Sequence, residues 1–537
     1  MARLFLALYL LIVVLPAFPP PLFSQDIIAI LQSYSNFKIA VSRLLQHVTI
    51  TAAVMDGTMD VLRPGSTGIQ RAQVACDIIN TVFPGTVTVA DDPEYEEELQ
   101  FNWSRTCWLR AACVFRPTNA AEVSAFLSIV KLTASKFSVR GGGHNPNSGF
   151  NSVDSSGILV DMRGFDTLAL EGDLTLRVGS GQTWKKVYEF IERDKKSVIG
   201  GRHGTVGVGG FLLGGGMPFF GGLYGMAADN VKNFQVVTSD SRIINANINE
   251  NQDLFRALKG GGTNFGIVTR FDMEVYDLIK MQYTVNAYHA SDYANLLNAT
   301  VNVQKAMEFD NKIGFFLNVH PTVIIAGLLY AEHTAQPPKA FTEFFNAESL
   351  ITSIVPTTNG TVQTIVPELD TVGQDVGPAS RALSSVSTKE DYELYLDVHK
   401  QYTERFSNTP EMPSATLSYT IQPVSSFMVR AGRERGGNSM GLAESAQTWW
   451  ACLIEWYDGA DTAKSQLNVG LLGDTIASLA GQRGDLLPFQ FMNDAGSRQK
   501  VLQSYGKTNL ATLTKVAVKY DKAGTFQTLQ NAGFLVQ

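Results

Sequence analysis

The chain reads VRGGGHNPNSG at 139–149, three consecutive glycines running straight into one of only seven histidines in 537 residues. Glycine permits positive φ and close backbone approach, so that peptide N–H groups can converge on phosphate oxygens. Two more glycine-dense stretches lie nearby, GGRHGTVGVGGFLLGGG at 200–216 and KGGGTNFG at 259–266. A tight turn alone accounts for any one of them. Three in so short a span point instead to a large pyrophosphate-bearing ligand. No GxxxxGK[ST] occurs, which excludes a P-loop. No GxGxxG stands between a strand and a helix with an acid about twenty residues on, so the classical dinucleotide fingerprint is absent. His144 as a metal ligand would need partners; His203 lies in the second stretch, but no carboxylate or cysteine joins it at ligand spacing, and no metal is expected. His47, His289, His320, His333 and His399 are scattered and read as surface or satisfied core residues.

Bulk properties narrow the class. The length implies two domains or more. A net charge of −7, from 43 Lys and Arg against 50 Asp and Glu, offers no basic patch for nucleic acid. The N-terminus carries Arg3, an apolar run from Leu4 to Leu15 and then prolines. That run is too short to span a bilayer and suits a signal peptide cleaved near Ser24, with an uncleaved anchor as the alternative. Cleavage leaves no stable membrane partner and directs the protein to secretion or a secretory or vacuolar lumen. Sequons at Asn102, Asn298 and Asn359 agree with that route. Four cysteines without a CxxC pair exclude structural zinc. In an oxidising compartment Cys76 can pair with Cys107 or with Cys113.

Along the chain, residues 26–70 have no clean period. From Cys76, helix, turn and strand signals alternate: CVFRP reads as a strand closed by Pro117, and TNAAEVSAFLSIVKLTASK as a helix capped by Thr118 or Asn119. Alternation continues to about Tyr276. Beyond 280, segments such as MQYTVNAYHA, SATLSYTIQP and TWWACLIEWYD are rich in β-branched and aromatic residues and read as strands of a second sheet with helices between. The fold class expected is α+β.

The glycine stretches, with YGMAADNVKNFQVVTSD, DLFRALKGGGTNFGIVTRFDMEV and the closing YGKTNLATLTKVAVKYDKAGTFQ, resemble the vanillyl-alcohol-oxidase-type flavoproteins. The closest branch is the berberine-bridge-enzyme-like FAD-linked oxidoreductases, in their fungal form. The resemblance runs from about 76 to the C-terminus. It implies a PCMH/VAO-type FAD-binding domain (76–280, completed by 481–537) and an α+β cap with an antiparallel sheet (281–480), after a signal peptide (1–24) and an extension (25–75). It implies FAD held by Arg140, Gly141, Gly142, Gly143 and Gly149, by Thr205, Val206, Gly207, Gly209 and Gly210, by Gly266, Ile267 and Val268, and by Asn493 and Tyr505. His144 stands where the family joins the flavin 8α-methyl group to imidazole. Members with two covalent bonds carry a cysteine where this chain has His203, so one tether is implied. The histidine that ends their motif is Phe211 here. Val206 matches the small gatekeeper associated with oxidases.

The reaction so implied is oxidation of an alcohol or amine carbon of a secondary metabolite by hydride transfer to flavin N5, with O₂ as acceptor and a small molecule as substrate. Oxidative cyclisation of a natural product and carbohydrate oxidation are the alternatives. The tyrosine that serves as base in sugar-oxidising members has no match in Met492-Asn493-Asp494. Tyr419 and Glu455, on strands of the cap, are candidate bases, although strand alternation lets only every second residue face a pocket. The aromatic run Trp449, Trp450, Trp456 and Tyr457 suits either an apolar ligand or packing.

Overall fold

The computed structural model describes residues 65–172, 174–372, 378–405, 414–458 and 460–537. The expected signal peptide, the extension up to residue 64 and His47 lie outside the described residues. Among the described residues, two sheets are built before residue 275. Strands β1 (Val87–Thr88), β2 (Cys113–Phe115), β3 (Lys136–Arg140) and β4 (Gly157–Asp161) lie in the order 1-2-4-3, with β2, β4 and β3 parallel. Their buried side chains, Cys113, Phe115, Phe137, Ile158 and Val160, pack beneath the helices Gly68–Val82 and Ala120–Thr133. The second helix starts where Asn119 accepts hydrogen bonds from the Ala121 and Glu122 amides, a cap worth about 1 kcal/mol, and stops at Ala134 in a left-handed conformation. A disulfide joins Cys76 to Cys113 across 37 residues, which decides between the two pairings open in the sequence and leaves Cys107 buried and free.

The second sheet is antiparallel. It contains β5 (Leu168–Glu171), β6 (Thr175–Gly179), β8 (Val231–Val237), β9 (Ile243–Asn247) and β10 (Ile267–Glu274) in the order 5-6-10-8-9. The short strands β7 (Lys196–Ser197) and β11 (Tyr276–Asp277) pair with each other beside it.

From Lys280 onward the chain forms one eight-stranded sheet. Its strands are β12 (Lys280–His289), β13 (Ile313–Val319), β14 (Val323–Tyr330), β15 (Leu350–Thr361), β16 (Ser380–Thr388), β17 (Ala415–Val424), β18 (Gln447–Trp456) and β19 (Leu486–Leu487), in the order 15-12-14-13-17-18-16-19. Helices Tyr293–Met307, Tyr392–Arg405 and Thr462–Arg483 cover one face, closing over Leu417, Tyr419, Ile421, Trp450, Cys452 and Ile454. Each such aliphatic side chain contributes roughly 1.5–3 kcal/mol on burial. Successive strand residues point to opposite faces, so Thr416, Ser418, Thr420 and Gln422 emerge on the other side. That side roofs a cavity. The α+β class expected from the sequence is the class observed. Among the described residues, no helix is long and apolar enough to cross a membrane.

The chain then returns. Helix Lys507–Tyr520 packs against Gln252–Leu258, and the last residues run alongside β3, with Phe137 N–H donating to the Leu529 carbonyl and Asn531 N–H to the Phe137 carbonyl. Of the sequons, Asn298 and Asn359 are exposed, whereas Asn102 is buried and donates its amide to the Cys107 carbonyl, so it presents no acceptor nitrogen.

Candidate active site

The first and second glycine stretches touch backbone to backbone. A Cβ on Gly142 would lie 2.3 Å from the Gly207 nitrogen, and one on Gly207 would lie 2.3 Å from the Gly142 nitrogen. No other residue fits at either position. Gly143 has φ +71°, a left-handed value, and its carbonyl accepts from the Trp103 N–H. The third stretch joins when Gly262 N–H donates to the Leu213 carbonyl. Together the three stretches form one wall of a cavity of about 1740 Å³. Pockets for a drug-sized ligand enclose roughly 300–1,000 Å³, so this one has room for a large cofactor and a substrate together.

His144 lies at the junction of the loops. Its ring stacks on Trp103, with centroids 5.2 Å apart and planes at 14°, and Nε2 is 2.9 Å from the Thr205 hydroxyl. Burial first, and then the positive charges of His203 and Arg381, lower its pKa to about 3. The imidazole is therefore neutral at ordinary pH. Nδ1 has no partner among the described residues, so a lone pair is available on one ring nitrogen. His203 lies beside Asp370, Nδ1 to Oδ1 3.6 Å, and Asp370 also accepts from the Gly204 N–H.

Most of the residues singled out in the sequence line the cavity: Gly141, Gly142, Gly143 and His144; Thr205, Val206, Gly207, Gly209 and Gly210; Gly266, Ile267 and Val268; and Asn493. Asn493 bridges two glycine segments, donating to the Gly210 carbonyl at 3.2 Å and accepting from the Gly216 N–H at 3.0 Å. Three others stand behind the wall. Arg140 is the last residue of β3, and its guanidinium, fully buried, pairs with Asp161 at 2.6 Å and with Glu98 at 3.2 Å. Gly149 faces the tail, its carbonyl accepting from Ser138 and Asn531. Tyr505 is buried against Phe489 and donates to the Gly260 carbonyl.

The two candidate bases part by strand parity. Tyr419 points into the helix-covered face, fully buried and 2.8 Å from His399 Nδ1. It cannot meet a substrate. Glu455 faces the cavity but is held by Arg381 at 2.7 Å. Arg381 in turn donates to the Trp103 carbonyl and covers its ring. Trp450 and Trp456 pack under the helices and Trp449 on Phe489 and Phe491, so the aromatic run serves packing.

The sequence did not single out Trp103, Arg202, His320, Arg381, Gln422 and Asp494, which also line the cavity, nor the tail residues Gln530 and Ala532–Phe534. Chain order scatters these across seven segments that share no motif. Asn264 holds the tail in place, donating to the Phe534 carbonyl and accepting from the Val536 N–H.

The wall suits FAD. Ser180 Oγ and Asn151 Oδ1 belong to wall residues and, although buried, have no hydrogen-bond partner among the described residues. A Cβ at Gly210 would meet nothing within 4 Å. Unpaired buried polar groups are costly unless a ligand satisfies them. Among the described residues, no cluster of His, Cys, Asp and Glu could hold a metal ion.

Residues 111–247 match the family model described as an FAD binding domain. Over 464 residues the chain is 32% identical to an FAD-dependent monooxygenase of Arthrobotrys oligospora, covering 86% of this chain and 89% of that one. It is 30% identical over 474 residues to the bifunctional solanapyrone synthase of Alternaria solani, covering 86% and 88%. Among solved structures, 6-hydroxy-D-nicotine oxidase of Arthrobacter nicotinovorans superposes with a TM-score of 0.71 at 19% identity, over 84% of this chain and 98% of that one. Glucooligosaccharide oxidase of Acremonium strictum, described with a 6-S-cysteinyl, 8α-N1-histidyl FAD, gives 0.70 at 15% identity, over 88% and 99%.

Proposed function

The chain belongs to the berberine-bridge-enzyme-like FAD-linked oxidoreductases, and on that footing we propose that it oxidises an alcohol or amine carbon of a secondary metabolite, with O₂ as the final acceptor. The observation that carries this reading is the contact of Gly142 with Gly207 beside His144, at the head of a cavity roofed by the eight-stranded sheet. FAD, when bound, supplies the electron sink for a hydride leaving the substrate carbon. Gly141–Gly143 and Thr205–Gly210 hold its pyrophosphate and ribityl portions through backbone N–H groups. Gly266–Val268 and Asn493 complete that wall. His144 is the single covalent tether: its neutral imidazole has a free lone pair, and Trp103 and Thr205 fix its plane. His203 leaves no thiolate for a second bond.

The remaining volume, under Phe316, Ile325 and Leu453 and beside Thr420 and Ser418, takes the substrate. This roof excludes water from the reacting carbon and orients it. Residues 76–280 with 481–537 form the FAD-binding unit, and 281–480 the cap. Export through the secretory pathway is supported by the N-terminal apolar run and by the Cys76–Cys113 disulfide. Oxidative cyclisation is a second reading, favoured by similarity to the solanapyrone synthase.

Acid precipitation of the purified protein tests the tether. Flavin is expected to stay with the polypeptide, and His144→Ala to release it into the supernatant; free flavin from the wild type overturns the tether. An oxygen-uptake screen of alcohols, amines, sugars and polyketide-type compounds tests the reaction. One H₂O₂ per O₂ consumed is expected, whereas ¹⁸O from O₂ in the product would mark a monooxygenase instead.

A further inference from the structure

Four carboxylates line the cavity: Glu189, Asp370, Glu455 and Asp494. Glu189 lies on the outward side of the surface helix Trp184–Ile191. Asp370 is engaged by the Gly204 N–H and His203, and Glu455 by Arg381. Asp494 differs. It has no ion pair among the described residues, and one donor alone reaches it, Gln422 Nε2 at 2.7 Å from Oδ2. Its other oxygen, Oδ1, is engaged by no donor among the described residues and is not walled in, so it opens on the cavity. The Gln422 amide is oriented from behind, because Arg202 donates to its Oε1. Asp494 also sits on a fixed mount. The turn Met492–Asp494 is held by the two hydrogen bonds of Asn493 to Gly210 and Gly216 and by Phe491 N–H to Ser385 Oγ.

We propose that Asp494 is the proton acceptor of the reaction, with Gln422 and Arg202 as its positioning residues; this rests on the flavin-oxidase reading above. The substrate O–H bond breaks and its proton passes to Asp494 Oδ1. The adjacent C–H bond breaks with its electron pair, the hydride going to the flavin as oxidant, and the C=O bond forms. The two electrons then pass to O₂ together with the proton that came with the hydride and the proton held by Asp494, which gives H₂O₂ and returns Asp494 to its ionised form.

Other groups are less suited. Among the described residues no tyrosine lines the cavity. His320 does, but it follows Val319, which pairs with Tyr419, so it stands level with Ser418, about 13 Å along β17 from Gln422. No hydrogen bond among the described residues fixes its ring. Burial raises the Asp494 pKa above the ordinary carboxylate value, opposed by the Gln422 hydrogen bond and the Arg202 charge. The charged group facing it is Arg202, from the second glycine stretch; the buried Cys452 thiol lies on the opposite, helix-covered face of β18 and acts on it only through the sheet. A base needs its ionised form, so flavin reduction rises as pH passes upward through this raised pKa.

Two measurements on the holoenzyme test this. Sulfite adds to oxidised flavin and bleaches it, and its affinity falls when a carboxylate nearby ionises. Sulfite's own protonation is common to all variants. The wild type should show a break in sulfite affinity against pH that Asp494→Asn lacks and Glu455→Gln keeps. Gln422→Leu, which leaves Asp494 in place, should move the break to higher pH because a donor to the carboxylate is lost. With whichever compound of the oxygen-uptake panel reduces the wild-type flavin fastest, Asp494→Asn should lower kcat by about 10²–10⁴-fold with KM little changed, and Asp494→Glu should recover part of it. A break unchanged in Asp494→Asn, a break that follows Glu455, or kcat within a fewfold of wild type overturns the proposal. If no panel compound reduces the flavin, the sulfite titration decides alone. A polypeptide without flavin absorbance refutes the underlying reading instead, and is recognised before any variant is compared.

Discussion

At the scale of single residues, Arg140 and Gly142 show why neighbours in sequence take different tasks. Gly142 is legible because the Gly207 backbone packs so close that a Cβ there would lie 2.3 Å from its nitrogen. Arg140, two positions earlier, looks like part of the same cradle, but it closes β3, and its side chain leaves on the opposite side from the loop. There it meets Asp161, which is fully buried and also receives Arg163 at 2.5 Å. Burial pushes the Asp161 pKa up, but Arg140 and Arg163 outweigh it and hold it at about 2. The unfolded carboxyl titrates near 3.9. A depressed pKa contributes stability that is present above the unfolded value, so roughly 2–3 kcal/mol is present above about pH 4 and is lost as pH falls towards 2. Asp161→Asn leaves the buried Arg140 guanidinium with Glu98 as its only counter-charge among the described residues, and urea unfolding at neutral pH should show a loss of about 3 kcal/mol. The variant should keep its flavin tether where it still folds, since His144 and Thr205 are untouched.

At the scale of the element, β17 and β18 carry the division between packing and chemistry. Their strand character was legible from alternation, and so was the fact that only half their residues could face a substrate. Which half was not, because parity is set by the side on which the helices settle, and three helices distant in sequence make that choice. Tyr419 fell on the packed side and Glu455 on the open one. The same parity exposes Gln422, an amide that no catalytic pattern would single out. Tyr419→Phe removes the hydrogen bond to His399 and nothing from the cavity. It should cost about 1 kcal/mol in thermal or urea unfolding and leave kcat and KM at wild-type values. A large fall in kcat at unchanged stability would restore Tyr419 to the reaction.

At the scale of the whole molecule, the cavity is closed by parts far apart in the chain. The return of the C-terminal region was legible in YGKTN, but Gln530–Phe534 carries no signal, since its place depends on a single run beside β3 and on Asn264. Ending the chain after residue 529 should leave the eight-stranded sheet intact and open the flavin wall. Flavin incorporation into His144 should fall several-fold, read as flavin absorbance per polypeptide after acid precipitation; full incorporation would show that the tail is dispensable. The same closure sets a timetable. Lys136 donates to the Thr528 carbonyl across 392 residues, so the last segment leaves the ribosome about twenty seconds or more after the first glycine loop. The cradle exists for that interval without its final wall. Cofactor loading is thus expected to favour the finished chain over the nascent one, and a message truncated near its end to yield a nearly complete polypeptide that takes up flavin poorly.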